Sequence, residues 1–266
     1  MSTHWHIFKL GMQNTAAYRT NFFFRALFSL APLVAALALW RAVFAGGKET
    51  IAGYTLAQML SYYLIVTLIE ATTSVTEDEW QIATDIKDGG ISQFLVRPID
   101  YFRYRLCLFS ANRTIYTAMA FLPMAAIVLC NLRYLLPPAN FVSLAAFVFS
   151  LALSAILQFL LAYLTALLAF WVLEISTLSF MLLATQRLAS GEMFPLDLLP
   201  EWLGRLLMLT PFPYCMFFPA SVYMGRVDGA ALIEGLLMQG LWIVVLMALS
   251  REIWRRGLRT FTVVGG

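Results

Sequence analysis

The chain of 266 residues is 61% hydrophobic and 12% charged, with a net charge of +3 and a mean hydropathy of +0.77. Ordinary soluble domains carry roughly 25% charge, so these values exclude a soluble enzyme and point to an integral membrane unit. Six spans of about 20 residues fill nearly half the length and leave no room for a separate soluble catalytic domain, so any energy source lies outside this chain.

In chain order, residues 1–21 form an amphipathic helix with Trp5, Phe8, Met12 and Ala16 on one stripe, which suits a segment lying in the membrane plane. Spans one and two occupy residues 22–73: the first runs over about 22–44, with Pro32 bending it, and the second over about 54–73. Residues 74–108 are the longest polar stretch. Spans three to five fill 109–189, at about 109–131, 141–166 and 173–189. Residues 141–184 carry a single formal charge, Glu174, and are about twice as long as one crossing requires. Lipid offers no water to backbone N–H and C=O groups, so such a run is helical and reads as two spans back to back. Residues 190–229 are too apolar for a solvated loop yet are broken by Pro195, Pro200, Pro211, Pro213 and Pro219. A sixth span over 230–250 ends in a tail, 251–266, holding Arg251, Arg255, Arg256 and Arg259.

Lysine and arginine concentrate in the N-terminal segment, the 74–108 loop and the tail, whereas the opposite loops hold Arg41, Lys48 and Arg133. The positive-inside bias therefore puts both termini and that loop in the cytoplasm, which requires an even number of spans.

Within the loop lies Asp85-Ile86-Lys87-Asp88-Gly89-Gly90-Ile91-Ser92-Gln93-Phe94-Leu95-Val96-Arg97-Pro98. A helix continuing from the second span is expected to stop at the glycines, where a left-handed cap is easy. A new helix of under two turns then begins near Ile91, and Pro98 ends it by about Arg97. Ile91, Phe94 and Leu95 share one apolar face on that helix, a knob suited to the groove of a cytoplasmic partner.

The proline-broken region carries Gly191, Glu192, Phe194, Pro195, Leu196, Leu199 and Pro200, followed by Trp202. A short helix ends before Pro195 or starts after it, and another covers about 202–209; neither is long enough to span. Irregular backbone at membrane depth persists only when buried in protein or lining a cavity, so this region reads as a re-entrant outer gate, or else as an interfacial loop anchored by Trp202 and Phe212.

At Asp88 to Pro98 the chain resembles the type-2 permeases of ABC transporters, in which an acid, a glycine, a short hydrophobic helix and a proline follow the second span. Residues 190–200, the turn at Trp171 and Glu174, the stretch Gly53-Tyr54-Thr55-Leu56-Ala57-Gln58-Met59-Leu60, the opening segment and the ending Arg255-Arg256-Gly257-Leu258-Arg259 to Gly265-Gly266 are similar to one branch of that family. The likeness spans nearly the whole chain. It implies an all-α permease of six transmembrane helices in a bacterial cytoplasmic (inner) membrane, pairing with a second copy or a sister permease. The short helix would be a coupling helix inserted into one of two cytoplasmic ATPase subunits. ATP and Mg would be bound by those partners, with no cofactor in this chain, and ATP-driven export is the implied function.

The residues themselves argue against catalysis here. Gly46-Gly47-Lys48-Glu49 lacks the spacing of a phosphate-binding loop. His4 and His6 do not share a helical face, and Cys107, Cys130 and Cys215 show neither a metal spacing nor a disulfide framework. No nucleic-acid footprint accompanies the modest charge; the partner environment is lipid.

Charges in spans are costly. Glu70, Glu174 and Arg113 are expected at cytoplasmic ends, and Arg187 and Glu192 near the outer end of the fifth span, where they can pair. Tyr62, Tyr63, Phe180 and Met181 are candidates to line a pathway for an amphiphilic or hydrophobic substrate, with lipid contact or packing as the alternative. Two other classes stay open. An ATP-independent secondary transporter or channel expects inverted repeats with matched broken helices, where only one strongly broken region stands out. A membrane scaffold or sensor subunit is the other.

Overall fold

The computed structural model describes residues 30–260 except 48, 76, 77, 97, 98, 139 and 173, together with a few isolated positions before residue 30. The interfacial helix, most of 22–29, Arg97, Pro98 and the last six residues lie outside the described residues. Every regular element described is helical, apart from an isolated bridge between Ile51 and Tyr54.

Helix α1 (Ala31–Ala45) carries Pro32 in its first turn, where a missing N–H costs no helical bond. Leu33, Leu37 and Phe44 face the bundle, while Val34 and Leu39 are exposed. Helix α2 (Leu56–Thr73) starts from a reciprocal cap between Thr55 and Gln58. Met59 through Val66 are all buried, so every face of α2 is covered and it forms the mast of the bundle.

The sequence expectation of one helix from the second span to the glycines is corrected: Ser74 turns extended and ends α2, and a separate helix α3 (Asp78–Lys87) follows. It is α3 that stops at the glycines, with Gly89 at φ +75° and the Ile91 N–H bonding back to the Asp85 carbonyl at 3.1 Å. The short helix α4 covers Ser92–Leu95. Helix α5 (Tyr101–Cys130) begins eight residues before the expected third span, because the Asp100 side chain caps the Arg103 N–H at 2.8 Å. At 1.5 Å per residue it is about 45 Å long, so it overshoots a hydrocarbon core of about 30 Å.

Helix α6 (Phe141–Leu167) passes into a 3-10 turn (Leu168–Phe170). Helix α7 (Ser176–Ala189) starts where Glu174 bonds the Ser176 N–H, and spans only about 21 Å. Three short pieces follow: a 3-10 turn at Leu196–Leu198, α8 (Glu201–Met208), and α9 (Phe217–Tyr223) after a second 3-10 turn at Pro213–Cys215. Helix α10 (Gly229–Thr260) continues ten residues beyond the expected sixth span. Three helices, at Tyr101–Cys130, Phe141–Phe170 and Gly229–Thr260, are long and apolar enough to cross a bilayer.

Helix α10 runs along α6 through a buried polar knot. Gln239 Nε2 donates to the carbonyls of Ser150 at 3.0 Å and Tyr214 at 2.9 Å, while Ser150 Oγ donates to Gln239 Oε1 at 3.0 Å. Ser154 Oγ donates to the Cys215 carbonyl at 2.5 Å. Helices α6 and α10 thereby satisfy the irregular backbone of the Pro213–Cys215 turn, which no water reaches in lipid. Replacing Gln239 with Leu removes these bonds at similar volume and should cost about 1–3 kcal/mol, because buried acceptors are left unpaired. The thermal midpoint of the detergent-solubilised protein should fall accordingly, while Leu237→Ala on the exposed face of α10 should leave it unchanged.

Candidate functional site

At the α3–α4 end, a salt-bridged aromatic clamp fastens the short helix to three others. Arg105 of α5 is 4% exposed and pairs with Asp85 of α3. Its Nε donates to the Tyr101 hydroxyl at 3.0 Å and its Nη1 to Gln81 Oε1 at 3.0 Å. The Tyr101 hydroxyl in turn donates to Asp85 Oδ2 at 2.7 Å. Phe94 packs its ring 5.0 Å from that of Tyr101 and 4.8 Å from that of Tyr104, and Trp254 of α10 stacks on Tyr101 at 5.3 Å.

The expectation that Ile91 and Phe94 present a free apolar face is therefore corrected. Ile91 is fully buried and Phe94 is half-buried against α5, since helical spacing tells which residues share a face and not what covers it. Asp88 and Gln93 are exposed, Gly89, Gly90 and Ser92 are half-buried, and Val96 is 83% exposed. Arg97, Pro98 and the Leu95 side chain lie outside the described residues.

The 190–200 segment is held by the tyrosines of α2. The Tyr62 hydroxyl donates to the Gly191 carbonyl at 2.5 Å, and the Tyr63 hydroxyl to the Met193 carbonyl at 2.6 Å. Gly191 has φ +84°, and a Cβ there would meet the Tyr62 hydroxyl at 2.7 Å and Phe217 Cβ at 2.9 Å, so both conformation and space demand glycine. The Ser190 carbonyl accepts from the Phe217 N–H at 2.9 Å. Pro195 and Leu196 are buried, Phe194 and Leu199 half-buried, and Pro200 exposed. Further along, Tyr54 donates to Asp197 Oδ2 at 2.6 Å, and Arg226 sits 3.8 Å from the centre of the Tyr54 ring and 3.4 Å from the same carboxylate.

This arrangement alters one expectation. Tyr62 and Tyr63 are buried anchors, whereas Phe180 and Met181 are 70% and 59% exposed on α7, so the structure does not bring the four together. Gly191 sits beside the interior of α2, two turns in from its start, Glu192 shares a groove with Glu70 near the end of α2, and Arg187 lies in the last turn of α7. The Arg187–Glu192 pair is present at 3.3 Å. Arg113 is 5% exposed, donates at 3.1 Å to the Oγ of Ser74 at the end of α2, and lies 4.8 Å from the centre of the Tyr116 ring. Sequence reasoning did not single out Gln158, Ser179 and Gln186, which line the same groove. Their signal was their polarity within apolar helices.

Removing one partner of a buried ion pair costs about 3–5 kcal/mol, because the other charge stays behind unpaired. Asp85→Ala should therefore loosen α3 and α4 from α5, and amide exchange over 78–96 should rise by orders of magnitude while α6 and α10 keep their protection. The swap of Asp85→Arg with Arg105→Asp should recover part of the protection; equal exchange in Asp85→Ala and the parent would refute the clamp.

No curated protein matches the chain. Residues 30–265 match a family model described as ABC-2 family transporter protein. That match covers most of the chain, which accordingly belongs to the ABC-2 family of transporter proteins, as a membrane permease component.

Proposed function

We propose that this permease is the six-span half of an ATP-driven exporter in a bacterial cytoplasmic membrane, with both termini in the cytoplasm. The spans are the helices within 22–73, 109–189 and 230–250. It pairs with a second copy or a sister permease, and two ATPase subunits bind ATP and Mg; this chain is not itself an enzyme. An amphiphilic or hydrophobic cargo fits the scarcity of charge in the spans.

The observation that carries this reading is the clamp at α4. Phe94 packs α4 against Tyr101 and Tyr104 of α5, and α5 is tied in turn to α3 by Arg105–Asp85 and to α10 by Trp254 on Tyr101. Force applied at α4 therefore moves the ends of two long helices together, without loss in a slack loop. Val96, 83% exposed just past α4, is accessible to a partner docking on that helix. ATP draws the ATPase subunits together, α4 passes that motion to α5 and α10, and the 190–200 gate releases cargo outward.

Gln93 and Val96 are both exposed, so changing each to Asp should leave the fold of the permease intact. Co-purification of a co-expressed ABC ATPase subunit should be lost, and ATP hydrolysis stimulated by the permease should fall at least tenfold, at an unchanged thermal midpoint. A complete complex with undiminished coupling would overturn the assignment. Transport in liposomes that proceeds without added ATPase would instead favour an ATP-independent carrier.

A further inference from the structure

A groove of about 200 Å³ opens between α2, α6, α7 and the start of the 190–200 segment. Two acids, Glu70 and Glu192, and one guanidinium, Arg187, stand in its wall. Arg187 is engaged with Glu192 at 3.3 Å, while Glu70 makes no ion pair among the described residues. Arg113, the remaining cation nearby, is bonded to Ser74 and lies over Tyr116, outside the groove wall.

Polar side chains of α6 and α7 share the groove with Glu70. Gln158 is 3% exposed and spends its Nε2 on Thr73 Oγ1 at 2.6 Å, which leaves its Oε1 to accept, and Gln186 Nε2 approaches that oxygen at 3.5 Å. Ser179 is 4% exposed and lines the groove, yet its hydroxyl has no hydrogen-bond partner among the described residues. A buried hydroxyl left unpaired costs about 1–3 kcal/mol, and a carboxylate at membrane depth about 3 kcal/mol or more on insertion scales. Both costs are relieved by one ligand, a cation with hydrogen-bond donors. The rest of the wall, including Ala162, Leu182 and Met216, is apolar, and Leu183 continues from it onto the exposed face of α7 with Met181. That continuity suits an organic ammonium with an alkyl tail better than a bare metal ion.

We infer that this groove is a binding subsite for the ammonium head of an amphiphilic amine, with Glu70 as counter-ion and Gln158 and Ser179 as hydrogen-bonding partners. The inference rests on the permease reading and adds a cargo class to it. Binding of hexylammonium is measured on the purified full-length chain in lipid nanodiscs, against hexanol and hexanoate at matched concentration and against empty discs. Hexylammonium should bind saturably and at least tenfold more tightly than either analogue. Glu70→Gln should remove that preference, Ser179→Val should weaken the amine at least threefold, and Glu201→Gln on exposed α8 should change nothing. Equal binding of amine and alcohol, or an amine preference that survives Glu70→Gln, overturns the subsite. If Glu70→Gln does not fold, Ser179→Val decides alone: undiminished amine binding in that variant overturns the proposal. A saturable amine site on a permease that neither couples to an ATPase nor transports with ATP would leave the subsite standing and the exporter reading fallen. ATP-driven transport of other cargo without amine preference would do the reverse.

Discussion

The structure depends on one constraint: irregular backbone inside a bilayer must find its hydrogen bonds in the protein. Helix α2 meets most of that demand. Its Ser61 hydroxyl donates to the Tyr134 carbonyl at 2.5 Å and accepts from the Leu136 N–H at 2.9 Å, while Tyr62 and Tyr63 take the carbonyls of Gly191 and Met193. Polar side chains on a fully buried helix would be a liability in another setting. Here they fix the two breaks in the chain, at 131–138 and at 190–195, to one rigid mast, and the Ser150, Ser154 and Gln239 knot does the same for 213–215.

A hydroxyl–carbonyl bond in a membrane protein contributes modestly, about 0.6 to 2 kcal/mol. That modest value is consistent with a gate. Two such bonds and the close approach at Gly191 hold the segment in one position, yet they can be exchanged without unfolding α2. The contact at Tyr54, Asp197 and Arg226 closes the same segment farther along, and it is half-exposed and ionic, so it is easier to break. The clamp at the α3–α4 end is built the other way. Arg105 is buried, its donors are shared among Asp85, Tyr101 and Gln81, and aromatic rings cover it, as an element that transmits force without yielding requires.

Much of this was legible in the sequence. The long apolar runs at α5, α6 and α10 announce themselves by length, and glycine and proline mark the breaks at 88–90 and 190–200 because few other residues suit those backbones. What was not legible is what each face meets. Ile91 and Phe94 form an apolar ridge by spacing, and that ridge is identical whether a partner or Tyr101 and Tyr104 cover it. The start of α5 was hidden because Tyr101, Arg103 and Arg105 read as a polar loop; only the salt bridge to Asp85, twenty residues away, makes Arg105 an interior residue. The neighbours of Glu192 were hidden too, since only the fold brings it beside Glu70 of α2.

Helix α2 also joins the functional parts to one another. Tyr62 holds the gate, Glu70 lines the groove two turns further on, and Thr73 and Ser74 at its end accept from Gln158 of α6 and Arg113 of α5. Because α2 is packed on every side, it moves as a rod or not at all, and a shift of α5 carried up from the clamp reaches it through Arg113 and Ser74. Any such shift changes the distance between Glu70, which rides on α2, and Glu192, which rides on the segment that Tyr62 pins. The position of the 190–195 segment and the shape of the groove are therefore coupled through α2.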